Sequence, residues 1–165
     1  MNTRLLSLLA GISLSLIPNA VSAHCGTCGV GDEAHEGHED HKEEAKADPL
    51  AVPEGAKVSF IAPADGATVQ SPVKVTMGIE GMTVKPAGAL EANTGHHHII
   101  VDDAGVTKGT AVPADATHIH FGAGQTETEL KLAPGKHTLT LQFADGLHRS
   151  YGPSMSTTIT VTVSE

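Results

Sequence analysis

The stretch that decides the fold is Gly95-His96-His97-His98-Ile99-Ile100-Val101-Asp102. Its histidines run straight into a β-branched segment, a composition that favours a strand. Successive side chains of a strand point to opposite faces, so His96 and His98 share one face and His97 takes the other. We therefore predict a β-strand that presents a pair of imidazoles, roughly 7 Å apart along the strand, on a single surface.

A second stretch repeats the pattern further along the chain, at His118-Ile119-His120-Phe121. Its two histidines also share a face, so two such strands side by side would present four imidazoles on one surface. Neutral imidazole is the commonest metal ligand of proteins and suits copper, zinc, iron and nickel. The spacing predicts a transition-metal site built from His96, His98, His118 and His120.

Residues outside these two strands are candidates to complete or support the site. His148 follows a turn signal at Asp145-Gly146, and Met155 lies at the edge of the last alternating segment. A methionine thioether beside imidazoles would favour copper(I). Asp102 could orient one of these imidazoles by accepting a hydrogen bond from the ring nitrogen that does not bind the metal. His137, by contrast, shares a strand face with leucines, and we predict a structural hydrogen bond for it.

The sequence around the histidines indicates an all-β domain over residues 57–165. Turn signals recur about every eight to twelve residues, a spacing typical of a β-sandwich or barrel. Apolar residues alternate with polar ones in several segments, and no segment shows a helical period. We predict an immunoglobulin-like antiparallel β-sandwich with strands near 57–62, 73–79, 96–102, 118–121, 125–132, 137–143 and 155–163.

The N-terminal residues 1–23 read as a secretory signal peptide. Arg4 supplies the positive end, and residues 5–17 form an apolar segment too short to span a membrane. Val21-Ser22-Ala23 fits the small-residue cleavage pattern. We predict a periplasmic or secreted protein with no membrane span after cleavage of the signal.

Residues 24–56 read as a tail and linker that open on two cysteines. Cys25 and Cys28 would form a local disulfide in an oxidising compartment, or would hold copper(I) or zinc as a pair of thiolates. A thioredoxin-like redox motif is disfavoured because no βαβ pattern surrounds the pair. Cleavage after residue 23 would make His24 the first residue, and its amine and imidazole together could then chelate a metal.

The rest of this tail is acidic and carries histidines at three-residue spacing, His35, His38 and His41. Such a composition cannot bury enough apolar surface to fold alone, so we predict disorder. Short histidine-rich tracts commonly bind metals, and this one could feed a folded site. The alternative is a solvated linker with incidental histidines.

The charge balance excludes some classes of partner. The chain has 19 acidic and 10 basic residues and a formal net charge of −9. A protein that binds nucleic acid or an anionic membrane surface usually carries a basic patch, and none is evident. We therefore predict no nucleic-acid partner.

Several motifs together resemble a known family of exported bacterial domains. They are the three-histidine strand 95–102, the stretch His118-Ile119-His120-Phe121-Gly122-Ala123-Gly124-Gln125, and the segment from His137 to Ser156 with its Tyr151-Gly152-Pro153 corner. The resemblance covers about residues 58–163 and is to domain of unknown function 4399. It implies export and a domain of these bounds, and it implies no activity.

Three functions compete for this sequence. The first is a periplasmic metal-binding protein, with copper as the first choice and zinc as the second, whose partner would be another periplasmic metal-handling protein. The second is a binding or adhesion module whose histidines are structural, since a fold does not specify function. The third is a metalloenzyme in which Glu127 and Tyr151 act as acid or base.

Overall fold

The computed structural model describes residues 48–165, and this part of the chain is nearly all β-structure. The predicted signal peptide and the predicted tail up to residue 47 lie outside the described residues. Nine strands and one short 3-10 turn follow in chain order: β1 Lys57–Ala62, β2 Thr68–Val69, β3 Val73–Glu80, β4 Thr83–Val84, β5 Thr94–Val101, β6 His118–His120, β7 Glu127–Leu130, β8 Gly135–Ala144, the 3-10 turn Pro153–Met155 and β9 Ser156–Val163.

The strands form two sheets in a sandwich-like arrangement. The smaller sheet has the order β1-β3-β7, and the larger has the order β2-β9-β8-β5-β4, with β6 also paired to β5. The main pairs of both sheets are antiparallel, while β2 and β4 add short parallel pairs at the ends of β9 and β5. The predicted all-β sandwich is confirmed.

The core lies between the sheets and follows from the alternation along the strands. On the inner face of the larger sheet, Ile99 opposes Leu141 and His97 opposes Phe143, and all four side chains are fully buried. The smaller sheet contributes two valines and Met77 from β3, and these side chains are buried as well. Burial of one such aliphatic side chain contributes about 1.5–3 kcal/mol.

The outer face of β5 is buried too, because two loops cover it. The loop of residues 102–117 pairs with the segment 148–150 through backbone hydrogen bonds. Gly109 N–H donates to the Ser150 carbonyl and Val112 N–H donates to the His148 carbonyl, both at 2.9 Å. Side chains of β5 on this outer face are therefore buried from solvent.

The packed part of the chain begins upstream of residue 57, the predicted first residue of the domain. Leu50 is only 5% exposed and belongs to the hydrophobic core. The Lys108 ammonium pairs with the Asp48 carboxylate at 2.7 Å and ties this segment to the covering loop. A shortened chain that keeps the core intact should therefore start at residue 48.

Gly95 on β5 leaves no room for a side chain beside the backbone of β8, and we expect Gly95→Ala to destabilise the fold strongly. A Cβ atom there would lie 2.1 Å from the Ala144 carbonyl oxygen and 2.8 Å from the Phe143 ring. Overpacking against backbone costs about 3 kcal/mol, which would lower the melting temperature by about 12 °C or more for a domain of this size. Thermal unfolding followed by circular dichroism measures the shift.

Gly105→Ala is the matched control for that substitution. A Cβ atom there would lie 3.2 Å from the Ser156 Oγ and 3.3 Å from the Gln142 Oε1, which are side-chain atoms about 1 Å further away than the backbone oxygen at Gly95. We expect its melting temperature to stay close to that of the parent. Equal shifts in the two variants would show that the close approach at Gly95 is not a constraint on the fold.

Candidate metal centre

Three imidazoles from two neighbouring strands meet on the outer face of the larger sheet. In the pairing of β5 with β6, His98 lies directly opposite His120, and His96 lies two residues before His98 on the same face. One ring nitrogen from each lies within 4.8 Å of the others. His96 and His98 are buried and His120 is exposed. This group could hold a metal ion.

A fourth imidazole, that of His148, completes the cluster from the segment 148–150, which pairs with the covering loop. Its Nε2 lies 3.1 Å from Nε2 of His120, and Nε2 of His96 lies 3.0 Å from Nε2 of His98. Two imidazoles on one tetrahedral ion with bonds of 2.0–2.1 Å have nitrogens about 3.3 Å apart. Each pair is therefore close to the separation required of two ligands on one ion. We call these four residues the histidine cluster.

The position of His148 depends on a tight turn built around Asp145. The buried Asp145 carboxylate accepts hydrogen bonds from the backbone N–H groups of Leu147 and Arg149, both at 2.9 Å. The Arg149 guanidinium also pairs with it through two nitrogens, at 2.8 and 2.7 Å. His148 itself adopts a positive φ of 66° in this turn. The turn was predicted from the sequence but the anchoring role of Asp145 was not, although an acid four residues before an arginine at a turn is a usable signal.

Burial keeps the inner histidines of the cluster uncharged at neutral pH. Burial, followed by the neighbouring His120 and His148, lowers the pKa of His96 to about 4. Burial, followed by the neighbouring His96, lowers the pKa of His98 to about 3. The pKa of His120 is lowered by burial and by His148. A neutral imidazole has a free nitrogen lone pair, so these residues are in the form that binds metals.

His97 lies between His96 and His98 in β5, and its side chain points to the opposite face of the sheet. Its ring packs edge-on against Phe143, with ring centres 5.2 Å apart, and is fully buried in the core. Burial lowers its pKa to about 4. Within residues 48–165, neither of its ring nitrogens has a hydrogen-bond partner. His97 therefore matches His98 in burial and chemistry but not in position, which makes it a natural control.

Two other predicted ligands lie outside the cluster. His118 shares the face of His120, but its Nδ1 is paired with the Asp115 carboxylate at 2.8 Å, three residues earlier. Met155 is fully buried in the hydrophobic core. The weaker candidates of the tail lie outside the described residues: His24, Cys25, Cys28, His35, His38 and His41.

Asp102 orients His137, a histidine that does not belong to the histidine cluster. Its carboxylate accepts a hydrogen bond from Nδ1 of His137 at 2.7 Å and another from the Thr138 backbone N–H at 2.8 Å. The other ring nitrogen of His137 lies 2.9 Å from the Ala133 carbonyl oxygen. These hydrogen bonds, the one to Asp102 first, raise the pKa of His137. The structural hydrogen bond predicted for His137 is confirmed.

The two residues considered as acid or base in an enzyme are placed elsewhere. Glu127 lies on β7, opposite Thr76 of the smaller sheet. The Tyr151 hydroxyl is buried and donates to the Thr94 carbonyl at 2.8 Å. The hydroxyl therefore holds the start of β5, the strand that carries His96 and His98.

The ring of His120 packs directly on Gly122, and we expect Gly122→Ala to weaken metal binding. A Cβ atom at residue 122 would lie 2.2 Å from Cε1 and 2.5 Å from Nε2 of that ring. The exposed ring can swing away, so the fold survives while one ligand is misplaced. Misorienting a ligand typically costs 10–100-fold in metal affinity, which a competition titration with zinc would measure. Gly105→Ala should bind as the parent does, and equal affinity in both variants would contradict the expectation.

Comparison with known proteins places this chain in one family. The family model described as Domain of unknown function (DUF4399) matches residues 75–164, a range that contains all four residues of the histidine cluster. No curated protein and no solved structure matches the chain. Within residues 48–165, no helix is both long and apolar enough to cross a membrane.

Proposed function

Because this chain belongs to the domain of unknown function 4399 family, whose description names no activity, we propose its function from the histidine cluster: it binds a transition metal. The observation that carries the proposal is the convergence of His96, His98 and His120, whose ligand nitrogens lie within 4.8 Å of one another. Two of these rings are buried and have lowered pKa values, so they are neutral at pH 7 and able to bind a metal. His148 would supply a fourth nitrogen.

The ligand chemistry favours copper, with zinc as the second choice. An all-imidazole set suits copper, zinc, iron and nickel, whereas magnesium and calcium require oxygen ligands. Copper(II) stands at the top of the affinity order for nitrogen sites. Four imidazoles would also satisfy the tetrahedral preference of zinc.

We also propose that the protein works outside the cytoplasm, on the support of its first 47 residues. Residues 1–23 have the composition of a secretory signal, and the acidic segment that follows carries four histidines and two cysteines. Such a tail would collect metal loosely and pass it to the cluster, or to another periplasmic metal-handling protein. The function would then be metal handling or tolerance.

Metal titration of two chains tests the proposal. One chain contains residues 24–165 and the other begins at residue 48, so that Leu50 stays in the core. Both would be titrated with copper(I), copper(II) and zinc. We expect one tight equivalent of metal in each, with additional weak binding in the longer chain. Tight binding that requires the tail would reject the histidine cluster as the site.

A further inference from the structure

The histidine cluster borders a cavity, and this arrangement suggests a second role for the bound metal. The cavity has a volume of about 310 Å³ and is lined by His98, His120 and His148 on one side. Its other walls are apolar residues of the two covering loops, among them Val112 and Leu147. We propose that a small neutral molecule enters this cavity and binds the metal through one nitrogen or sulfur atom. This inference rests on the proposed function.

The cavity lies on the side of the cluster formed by His98, His120 and His148. Three of the four imidazoles line it, whereas His96 is fully buried and is not part of its wall. An ion bound by the cluster would therefore be shielded by protein on the side of His96 and face the cavity on the other. The imidazoles of the cluster would hold the ion, and copper(II) could take a further nitrogen or sulfur ligand besides them. The cavity is where such a ligand would approach.

The walls define the chemical class of that ligand. Among the described residues that line the cavity, none is a lysine, arginine, aspartate or glutamate. An anion would thus have no counter-charge besides the metal, in a chain whose net charge is already −9. Apolar walls favour a ligand with a hydrocarbon body, and the volume lies at the lower end of the range for small-molecule sites. Leu147, which is 50% exposed, extends the apolar surface to the rim.

A pair of imidazole probes tests the inference on the copper(II)-loaded protein with its tail intact. The copper bound by the cluster is first identified as the equivalent that is lost in His98→Ala, His120→Ala. Imidazole and 4-phenylimidazole are then titrated against that copper, with the visible absorption band and the electron paramagnetic resonance spectrum as readouts. We expect 4-phenylimidazole to bind about tenfold more tightly, because the cavity covers part of its phenyl ring.

Two variants of the same loop locate the binding site. Ala114 lines the cavity and is exposed, so Ala114→Trp should fill the space without disturbing the core. We expect it to abolish the preference for 4-phenylimidazole while the copper stoichiometry stays the same. Ala116 is exposed in the same loop but does not line the cavity, so Ala116→Trp should keep the preference.

The outcomes separate this inference from the proposed function. Equal affinity of the two probes for cluster-bound copper would overturn the cavity as a ligand site and leave the metal centre standing. The same loss of preference in both tryptophan variants would also overturn it. If His98→Ala, His120→Ala binds as much copper as the parent does, the proposed function itself fails, and the inference with it.

Discussion

The double variant His98→Ala, His120→Ala is expected to lose the tight metal site of the domain. The two residues lie directly opposite each other on β5 and β6, and they are two of the four residues of the histidine cluster. Loss of groups that only orient a ligand costs 10–100-fold in affinity, so loss of two ligands should cost more than about 100-fold. Competition against a chromophoric chelator, with the chain that begins at residue 48, would measure the change for copper and for zinc.

His97→Leu provides the matched control for this variant. His97 lies in the same strand and is as deeply buried as His98, but its ring packs against Phe143 in the core. Its replacement removes a buried imidazole and leaves the cluster untouched, so metal affinity should not change. An unchanged affinity in the double variant, or an equal loss in His97→Leu, would refute the assignment of the ligands.

The faces of β5 could be predicted from sequence because side chains alternate along a strand. The alternation separates His96 and His98 from His97, and the structure places them on those two faces. The same logic places His118 and His120 on one face of β6. The all-β class followed in a similar way, from threonines alternating with apolar residues in β8 and β9.

The composition of the cluster could not be predicted to the same degree, because it depends on local hydrogen bonds that compete for each imidazole. His118 shares a face with His120, yet Asp115, three residues earlier, holds its Nδ1. Asp102 follows the histidine strand, yet it binds His137, which is 35 residues away in the chain. Alternation determines where a side chain points, whereas its partner depends on which loops pass nearby.

His148 illustrates the long-range part of the problem. Its sequence position, after an Asp-Gly turn, marks it as a candidate. Its approach to His120 depends on the pairing of residues 109–112 with residues 148–150, which covers the outer face of β5. Pairing between segments so far apart is set by the whole fold, and periodicity within one segment does not reveal it.

The metal-free protein is expected to lose most of its stability as the pH falls from about 6.5 to about 4. The pKa values of His96 and His97 are lowered to about 4 and that of His98 to about 3, all chiefly by burial. The unfolded chain, with an ordinary histidine pKa near 6.5, binds protons that the folded chain excludes, so the free energy of unfolding falls as acid is added. Each group contributes on the order of a few kcal/mol, and three together approach the whole stability of a typical domain.

His137 has the opposite effect on the pH dependence of stability, but its effect is small. Its pKa is raised by the Asp102 carboxylate, so its contribution is fully present below the unfolded pKa and is lost as the pH rises through the folded value. Solvent screens a pair at the surface, so this contribution is small beside that of the three buried rings. The net effect of acid on the metal-free protein should therefore be destabilising.

Denaturant unfolding at a series of pH values, with and without metal, measures this behaviour. His97→Leu removes one of the three buried groups without touching the cluster, so its stability should fall less steeply with acid. Metal binds only the neutral imidazoles of the folded state, and zinc at 100 times its dissociation constant adds about 2.7 kcal/mol. Zinc should therefore move the acid midpoint of both proteins to lower pH. Stability that stays constant from pH 7 to pH 4.5 would contradict the burial of uncharged histidines, and an acid midpoint unaffected by zinc would contradict their role as ligands.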